Sequence, residues 1–261
     1  MSVNKMYGFA SPETLEEAGR VEMPPRQNFA GQGIGILLID KSWYPMVPGN
    51  VVNAWTYKYP VRFKPVKNLD TPTLHSGSQE VYQTILDAAK ELQEEGVRAI
   101  SGACGFFGYF QNQLAADLDV PVAVSSLVQV PWIRTLLKPG QKIGVMTANA
   151  EALNESIYKN CGITDTEDLV IGNLRYYDNF RNIMEDKGAF DPAGVRNDVV
   201  SATKKLVDEN PDVGAILLEC SDMPPYAWDI QRETKLPVFD FITLINWMEN
   251  AVQQRPYTGW I

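Results

Sequence analysis

The sequence predicts an α/β protein made of two similar lobes, each built on a doubly wound parallel sheet, with a cleft between them. Two observations lead to this prediction. Short apolar runs alternate with stretches of helical periodicity along the chain, which is typical of parallel sheets covered by helices. The second half of the chain then repeats the spacing of the first, including a cysteine at the end of a strand.

The first half reads as three strands separated by helices. Residues 34–39 form an aliphatic run that ends at Asp40, as a buried parallel strand does. Residues 78–95 carry apolar side chains at helical spacing, with Ser78 as a candidate cap and Gly96 closing the helix. Further strands are predicted over residues 97–104 and 120–125, and a helix over residues 111–118.

The second half follows the same order. A strand is predicted over residues 143–147, an amphipathic helix over residues 195–207, and a strand over residues 213–220. The two cysteine strands match closely: 97–104 and 213–220 each run from Val through Ala-Ile to Cys in eight positions. A Pro-Val pair follows 17 residues after each cysteine, and Leu127 and Leu244 then open helices with a slip of one residue. We infer an internal duplication, with residues 1–137 and 238–261 in the first lobe and 138–237 in the second.

Composition limits the class of protein. The 261 residues are 45% hydrophobic and carry a net charge of −9, with a pI near 4.8. Such a surface repels nucleic acid and anionic membranes, so we expect neither as a partner. No apolar stretch approaches the roughly 18 residues of a membrane span. Residues 1–26 lack the pattern of a secretory signal and read as a surface arm, which predicts a cytoplasmic protein. Three cysteines do not make a disulfide framework, so we expect free thiols.

Cys104 and Cys220 are the candidate catalytic residues. Ligands of an open parallel sheet bind beyond the carboxyl ends of its strands, and both thiols fall at such ends. If the lobes are related by a pseudo-two-fold axis, one thiol from each faces the shared cleft. A helix N-terminus lowers a thiol pKa toward neutrality, so each thiol is expected to reach the thiolate form readily. Two thiols on opposite sides of a carbon can remove and return a proton without a metal or cofactor.

Other sites are less well supported. Cys161 has no partner in the repeat and reads as an inert thiol at a helix end. The glycines of residues 31–35 precede their strand, whereas those of a dinucleotide-binding turn follow it. The single histidine, His75, cannot build a histidine-based metal site and reads as a surface residue, although a Cys-His pair stays open. Aromatic residues near the predicted site suggest a bulky or onium-bearing substrate; these are Trp43, Tyr44, Phe106, Phe107, Tyr109, Tyr226 and Trp228.

At the two cysteine turns the sequence resembles the aspartate/glutamate racemase superfamily. The turns read Ser-Gly-Ala-Cys-Gly-Phe-Phe over 101–107 and Leu-Glu-Cys-Ser-Asp-Met-Pro-Pro over 218–225. Glutamate racemases carry Asn-Thr after the first cysteine and Thr-His after the second, whereas Gly105-Phe106 and Ser221-Asp222 stand here. This pattern is closer to the branch that is similar to hydantoin racemases and algal dimethylsulfoniopropionate lyase.

The resemblance implies a cofactor-independent enzyme in which Cys104 and Cys220 act as opposed acid and base. It also implies a small carboxylate substrate, and we expect a homo-oligomer. The implied substrate-binding positions are Asp40, Lys41, Tyr44, Gly105, Phe106, Ser125, Thr147 and Ser221, and Asp222 would attract an onium group. The main expectation is a racemase or epimerase acting on the carbon next to a carboxylate or carbonyl of a small amino acid-like substrate. The alternatives are a lyase that expels a β-leaving group and, from another class, a small-molecule sensor without turnover.

Overall fold

The computed structural model describes residues 10–23 and 25–261. The predicted surface arm therefore lies partly outside the described residues, at 1–9 and 24. In the described part of the arm, helix α1 (Pro12–Ala18) contains no buried residue. No helix among the described residues is long and apolar enough to cross a membrane.

In the described part of the chain eight strands form two separate four-stranded sheets, and every strand pair there is parallel. The first sheet contains β1 (Ile34–Ile39), β2 (Val61–Val66), β3 (Ala99–Gly102) and β4 (Val122–Ala123). The second contains β5 (Lys142–Thr147), β6 (Leu169–Asn173), β7 (Val213–Leu218) and β8 (Val238–Phe239). Their orders are β2-β1-β3-β4 and β6-β5-β7-β8, which are equivalent. The predicted fold class, with two similar doubly wound sheets, is confirmed.

The remaining helices surround these sheets. They are α2 (Thr71–His75), α3 (Tyr82–Glu94), α4 (Gln111–Asp117), α5 (Val130–Leu136), α6 (Glu155–Asn160), α7 (Arg181–Met184), α8 (Pro192–Glu209), α9 (Ala227–Thr234) and α10 (Phe241–Val252). Short 3₁₀ segments lie at Ala54–Thr56, Gln79–Val81, Gly105–Phe110, Ser126–Gln129, Ala150–Ala152 and Pro224–Tyr226. Their buried apolar faces form the core on both sides of each sheet.

Two helices cross between the sheets. Val130 and Ile133 of α5 pack in one cluster with Ile143 and Val145 of β5, so this helix covers the second sheet. The helix α10 packs against β1 and β3, and so covers the first sheet. Each sheet therefore depends on a helix from the other half of the chain.

The C-terminal strand corrects one expectation. Residues 238–261 were assigned to the first lobe, but β8 pairs with β7 in the second sheet. The physical reason is the duplication itself: β8 occupies beside β7 the place that β4 occupies beside β3. Only the helix after it returns to the first sheet. The division of the chain into lobes stays a prediction. The chain passes from the second sheet back to the first near Asp240, between β8 and α10.

Candidate active site

The carboxyl ends of the two sheets meet and enclose a small cavity. Hydroxyl groups connect the two halves of the chain here: Ser221 donates to the Ala103 carbonyl at 3.0 Å, and Ser126 donates to the Leu218 carbonyl at 3.0 Å. Because strand order changes direction between β1 and β3 in the first sheet and between β5 and β7 in the second, this is where an open sheet binds its ligand. The lining residues are Ile39, Ser42, Tyr44, Thr71, His75, Ala103, Cys104, Gly105, Phe106, Ala148, Ile183, Met184, Glu219, Cys220, Ser221 and Asp222.

Cys104 and Cys220 both line the cavity in equivalent turns. Each sulfur accepts a hydrogen bond from the main-chain N–H two residues later, at Phe106 and at Asp222. Each cysteine carbonyl accepts a hydrogen bond from the N–H three residues later, at 3.2 Å in both turns. The structure thus brings the two predicted thiols together in matching geometry.

The ionisation of the thiols differs from the sequence expectation. Burial raises the pKa of Cys104 and of Cys220 well above the ordinary thiol value. Nearby carboxylates add to this effect, Glu219 first for Cys104 and Asp222 first for Cys220. The expected lowering of the thiol pKa by a helix N-terminus is therefore wrong, because desolvation outweighs the N–H groups.

Two buried carboxyl groups stand beside the thiols. Burial raises the pKa of Glu219 to about 7 and that of Asp222 to about 6. Asp222 accepts hydrogen bonds from Asn50 Nδ2 at 2.5 Å and from the Tyr44 hydroxyl at 3.2 Å. Glu219 Oε2 accepts a hydrogen bond from Thr147 Oγ1 at 2.7 Å, whereas its Oε1 is buried without a partner. Gly105 leaves room for this carboxyl group, which a Cβ at that position would overlap.

His75 lies in the site and is not a surface residue. Its Nε2 is 3.7 Å from Cys104 Sγ, and its ring lies against Phe106 with centroids 4.0 Å apart. Burial, together with the charge of Arg175, lowers the pKa of His75 to about 4. The surface interpretation is therefore wrong, and the alternative of a Cys-His pair is the one that the geometry supports.

The other predicted binding residues divide into three groups. Tyr44, Gly105, Phe106, Ser221 and Asp222 line the cavity. Thr147 lies behind it and supports Glu219, and Ser125 is buried, where it accepts from the Leu127 N–H. Asp40 and Lys41 are exposed and do not line the cavity: Asp40 accepts from the Asn68 N–H, and Lys41 pairs with Asp70 at 3.7 Å. The backbone turns outward after β1, so the chain returns to the site only at Ser42 and Tyr44.

Most of the predicted aromatic residues lie elsewhere. Trp43 and Trp228 are 71% and 64% exposed, and three others are buried in the core, namely Phe107, Tyr109 and Tyr226. Only Tyr44 and Phe106 reach the cavity. Cys161 is buried at the end of α6, as its sequence context predicts. Within the described ranges no group of three or more His, Cys, Asp or Glu side chains is arranged to hold a metal ion. A reaction without a metal or cofactor stays a prediction.

Curated relatives identify the family. The chain is 32% identical to dimethylsulfoniopropionate lyase 3 of Emiliania huxleyi strain CCMP1516, over 93% of this chain and 67% of the relative. It is 30% identical to lyase 7 of the same strain, over 94% of this chain and 76% of the relative. The chain belongs to the dimethylsulfoniopropionate lyase family. A lyase from Durusdinium sp. clade D is 29% identical over 97% of this chain and 85% of its own length. No family model matches the chain.

Solved structures agree on the fold. Allantoin racemase from Pseudomonas fluorescens superposes with a TM-score of 0.56 at 15% identity, over 87% of this chain and 99% of that one. Glutamate racemase from Bacillus anthracis gives a TM-score of 0.53 at 15% identity, over 86% and 85%. Unliganded arylmalonate decarboxylase gives 0.53 at 15% identity, over 87% and 94%. The predicted resemblance to the aspartate/glutamate racemase superfamily is confirmed at the level of the fold, and the lyase relatives support that the chain is an enzyme.

Proposed function

We propose that this enzyme is a lyase that eliminates a sulfonium group from a small carboxylate of the dimethylsulfoniopropionate type. The two cysteines are proposed as its catalytic residues, one of them as the base. The relatives named above support the substrate class. They favour the lyase, which is the alternative expectation from the sequence, over the racemase, which is the main one.

The charge of the cavity is the observation that carries this proposal. Two of its described lining residues, Glu219 and Asp222, are acidic, and none is Lys or Arg. With its pKa lowered to about 4, His75 is neutral at physiological pH and adds no positive charge. A second substrate carboxylate, as in aspartate or glutamate, would meet like charge in a desolvated site. A sulfonium cation is instead attracted to the Asp222 carboxylate, and the Tyr44 ring offers it an aromatic neighbour.

The chemistry needs one base at the carbon next to the substrate carboxylate. A cysteine thiolate takes the proton from this carbon, and the C–H electron pair becomes the carbon–carbon double bond. The bond from the β-carbon to sulfur breaks, and its electron pair leaves with the sulfur as neutral dimethyl sulfide, so that acrylate remains. Since the leaving group departs uncharged, it requires no proton. A racemase differs because it must return a proton to the opposite face, so both thiols are indispensable to it.

The test is product formation by the purified enzyme and matched variants. Dimethyl sulfide is measured by headspace gas chromatography, and acrylate by proton NMR, after addition of dimethylsulfoniopropionate. We expect both products in equal amounts from the wild-type enzyme. Cys104→Ser should lose at least about 100-fold in kcat, as removal of a general base typically does. Cys161→Ser is the matched control, since this buried thiol lies outside the cavity, and it should keep its activity.

Two outcomes would overturn the proposal. One is racemisation of aspartate, glutamate or a hydantoin, with solvent deuterium at the α-carbon, in an enzyme that releases no dimethyl sulfide. The other is binding of the sulfonium compound without turnover in wild type and in the double Cys→Ser variant alike, which is the behaviour of a sensor.

A further inference from the structure

A chain of hydrogen bonds reaches Cys104 from the second sheet. Arg175 Nη1 donates to Asn149 Oδ1 at 2.8 Å. Asn149 Nδ2 lies 3.2 Å from His75 Nδ1, and His75 Nε2 lies 3.7 Å from Cys104 Sγ. Asn149 follows the end of β5 and is buried, so its orientation is set by these partners.

The direction of each hydrogen bond follows from the first. A guanidinium group can only donate, so Arg175 fixes the Asn149 oxygen on its own side and turns the amide NH₂ toward the histidine. The amide nitrogen can only donate, so His75 Nδ1 must be the unprotonated acceptor. The proton of the neutral imidazole is then on Nε2, which faces the sulfur of Cys104.

The two thiols consequently have opposite surroundings. Cys104 Sγ faces two donors, the Phe106 N–H and the His75 Nε2–H. Cys220 Sγ faces one donor, the Asp222 N–H, and one acceptor, Asp222 Oδ2 at 3.5 Å. A thiolate can only accept hydrogen bonds, whereas a thiol also donates one. Donors therefore favour the thiolate at Cys104, and the carboxylate favours the thiol at Cys220.

We propose that His75 is a positioning residue, held in its Nε2–H tautomer by Asn149 and Arg175, that supports the thiolate of Cys104 and so makes Cys104 the base. The naming of a base rests on the proposed function, whereas the hydrogen bond to Cys104 and its effect on that thiol do not. Cys220 lacks this support, since Asp222 offers its sulfur an acceptor.

The donors act against an otherwise unfavourable environment. Burial and the carboxylates of Glu219 and Asp222 raise the pKa of Cys104. Without compensating donors, the thiolate at this position would be scarce at neutral pH. The titratable and charged groups around Cys104 are His75 from α2, Arg175 behind it, Tyr44 from the loop after β1, and Glu219, Cys220 and Asp222 from the end of β7.

The first test reads the tautomer directly. The chain contains one histidine, so ¹⁵N-histidine labelling of a protein without a histidine tag gives a single pair of ring signals. Long-range ¹H–¹⁵N correlation spectra between pH 5.5 and 8 should show the neutral Nε2–H form throughout. Asn149→Asp replaces the donor by an acceptor and should move the proton to Nδ1, or protonate both nitrogens. An Nδ1–H tautomer in wild type, or a histidine titrating in this range, overturns the proposal.

The second test measures the consequence for each thiol without substrate. Iodoacetamide alkylation is followed against pH, and peptide mass spectrometry separates Cys104 from Cys220 and Cys161. A hydrogen bond to a charged group is strong enough to move the Cys104 midpoint by about one pH unit. We therefore expect His75→Leu to slow Cys104 alkylation about tenfold at pH 8. His75→Gln, whose amide can place an N–H near the same position, should restore most of the rate, and Cys220 should not change.

The possible results are distinguishable. An unchanged Cys104 profile in His75→Leu, or an equal change at Cys220, overturns the proposal. If His75→Leu does not fold, His75→Gln and Asn149→Ala test the proposal instead. The alkylation rate of Cys104 in His75→Gln should stay within about threefold of wild type. Asn149→Ala should slow the alkylation of Cys104 but not that of Cys220. A shifted Cys104 profile in an enzyme that releases no dimethyl sulfide would contradict the proposed function and leave the role of His75 intact.

Discussion

Glu219 gives the enzyme a stability that depends on pH, and replacing it by glutamine should remove this dependence. Its side chain is fully buried, and burial raises its pKa from 4.5 to about 7. A shift of this size corresponds to about 3 kcal/mol between the protonated and ionised forms. Below pH 4.5 the carboxyl is protonated in both the folded and unfolded states, so it adds no penalty. As pH rises toward 7, the unfolded state releases its proton first, and the free energy of unfolding falls.

The assay is urea unfolding of wild type and Glu219→Gln at intervals from pH 4.5 to 8. Glutamine cannot ionise, so the difference in unfolding free energy between the two proteins should change by up to about 3 kcal/mol across this range, in favour of glutamine at high pH. Other buried acids titrate in both proteins and cancel in the difference, among them Asp222 and Asp240 with pKa values raised to about 6. A constant offset of about 1–3 kcal/mol against glutamine is also expected, because its NH₂ would lie unpaired in the place of Oε1.

Thr147 provides the matched pair of controls. Its hydroxyl donates to Glu219 Oε2 and so holds the pKa of this carboxyl down. In Thr147→Val the donor is lost, and the decline in stability should extend to higher pH than in wild type, whereas Thr147→Ser should keep the wild-type profile. If the difference in unfolding free energy between wild type and Glu219→Gln is the same at pH 4.5 and at pH 8, the reasoning is refuted.

Three further predictions concern the cavity wall and the loop beside it. Asp222→Asn should raise KM for dimethylsulfoniopropionate about tenfold with a smaller change in kcat. The wild-type KM should rise as pH falls through about 6, where Asp222 becomes protonated. Initial rates from pH 5 to 8 that show no such rise would contradict the pairing of Asp222 with the sulfonium group. Gly105→Ala should lower the free energy of unfolding in urea by about 1–3 kcal/mol, since its Cβ would overlap the Glu219 carboxyl. Gly259→Ala, where nothing lies within 4 Å, should lower it little. Equal losses in the two variants would exclude the overlap. Asp186→Ala removes the acceptor of the Trp43 N–H at 3.0 Å and should speed amide hydrogen exchange over residues 42–50. Asp178→Ala, which removes the partner of Arg181, should not.

The sheet topology could be predicted mainly where strands are buried on both faces. β1, β5 and β7 are nearly fully buried, so their residues form the continuous apolar runs by which such strands are recognised. The edge strands β2 and β6 were not predicted, because their residues are mostly half-exposed and the sequence of β2 includes Arg62, Lys64 and Pro65. Proline is tolerated there because an edge strand leaves some N–H positions unpaired.

The site residues that could be predicted from the sequence are those at or next to the duplicated cysteine strands. The two thiols stand at equivalent strand ends, and the residues next to them follow from that position. His75 and Asn149 lie outside the two cysteine turns, and they meet because α2 packs over the turn after Cys104. Glu219 did carry a signal, since it is a charged residue directly after the apolar run of β7. A single charged residue at a strand end is ordinarily solvent-exposed, so this signal alone predicts no buried carboxyl group.

The crossing of α5 and α10 has a genetic consequence. A nonsense mutation just after β8 would spare every strand, both thiols and all of the cavity lining. It would nevertheless delete α10 and expose Ile34, Ile36 and Ala99, which are now completely buried beneath it. A truncated product of this kind should be removed by cellular proteolysis, although its chemical groups are all present. Loss-of-function alleles are therefore expected far downstream of the codon for Cys220, the second of the two proposed catalytic residues.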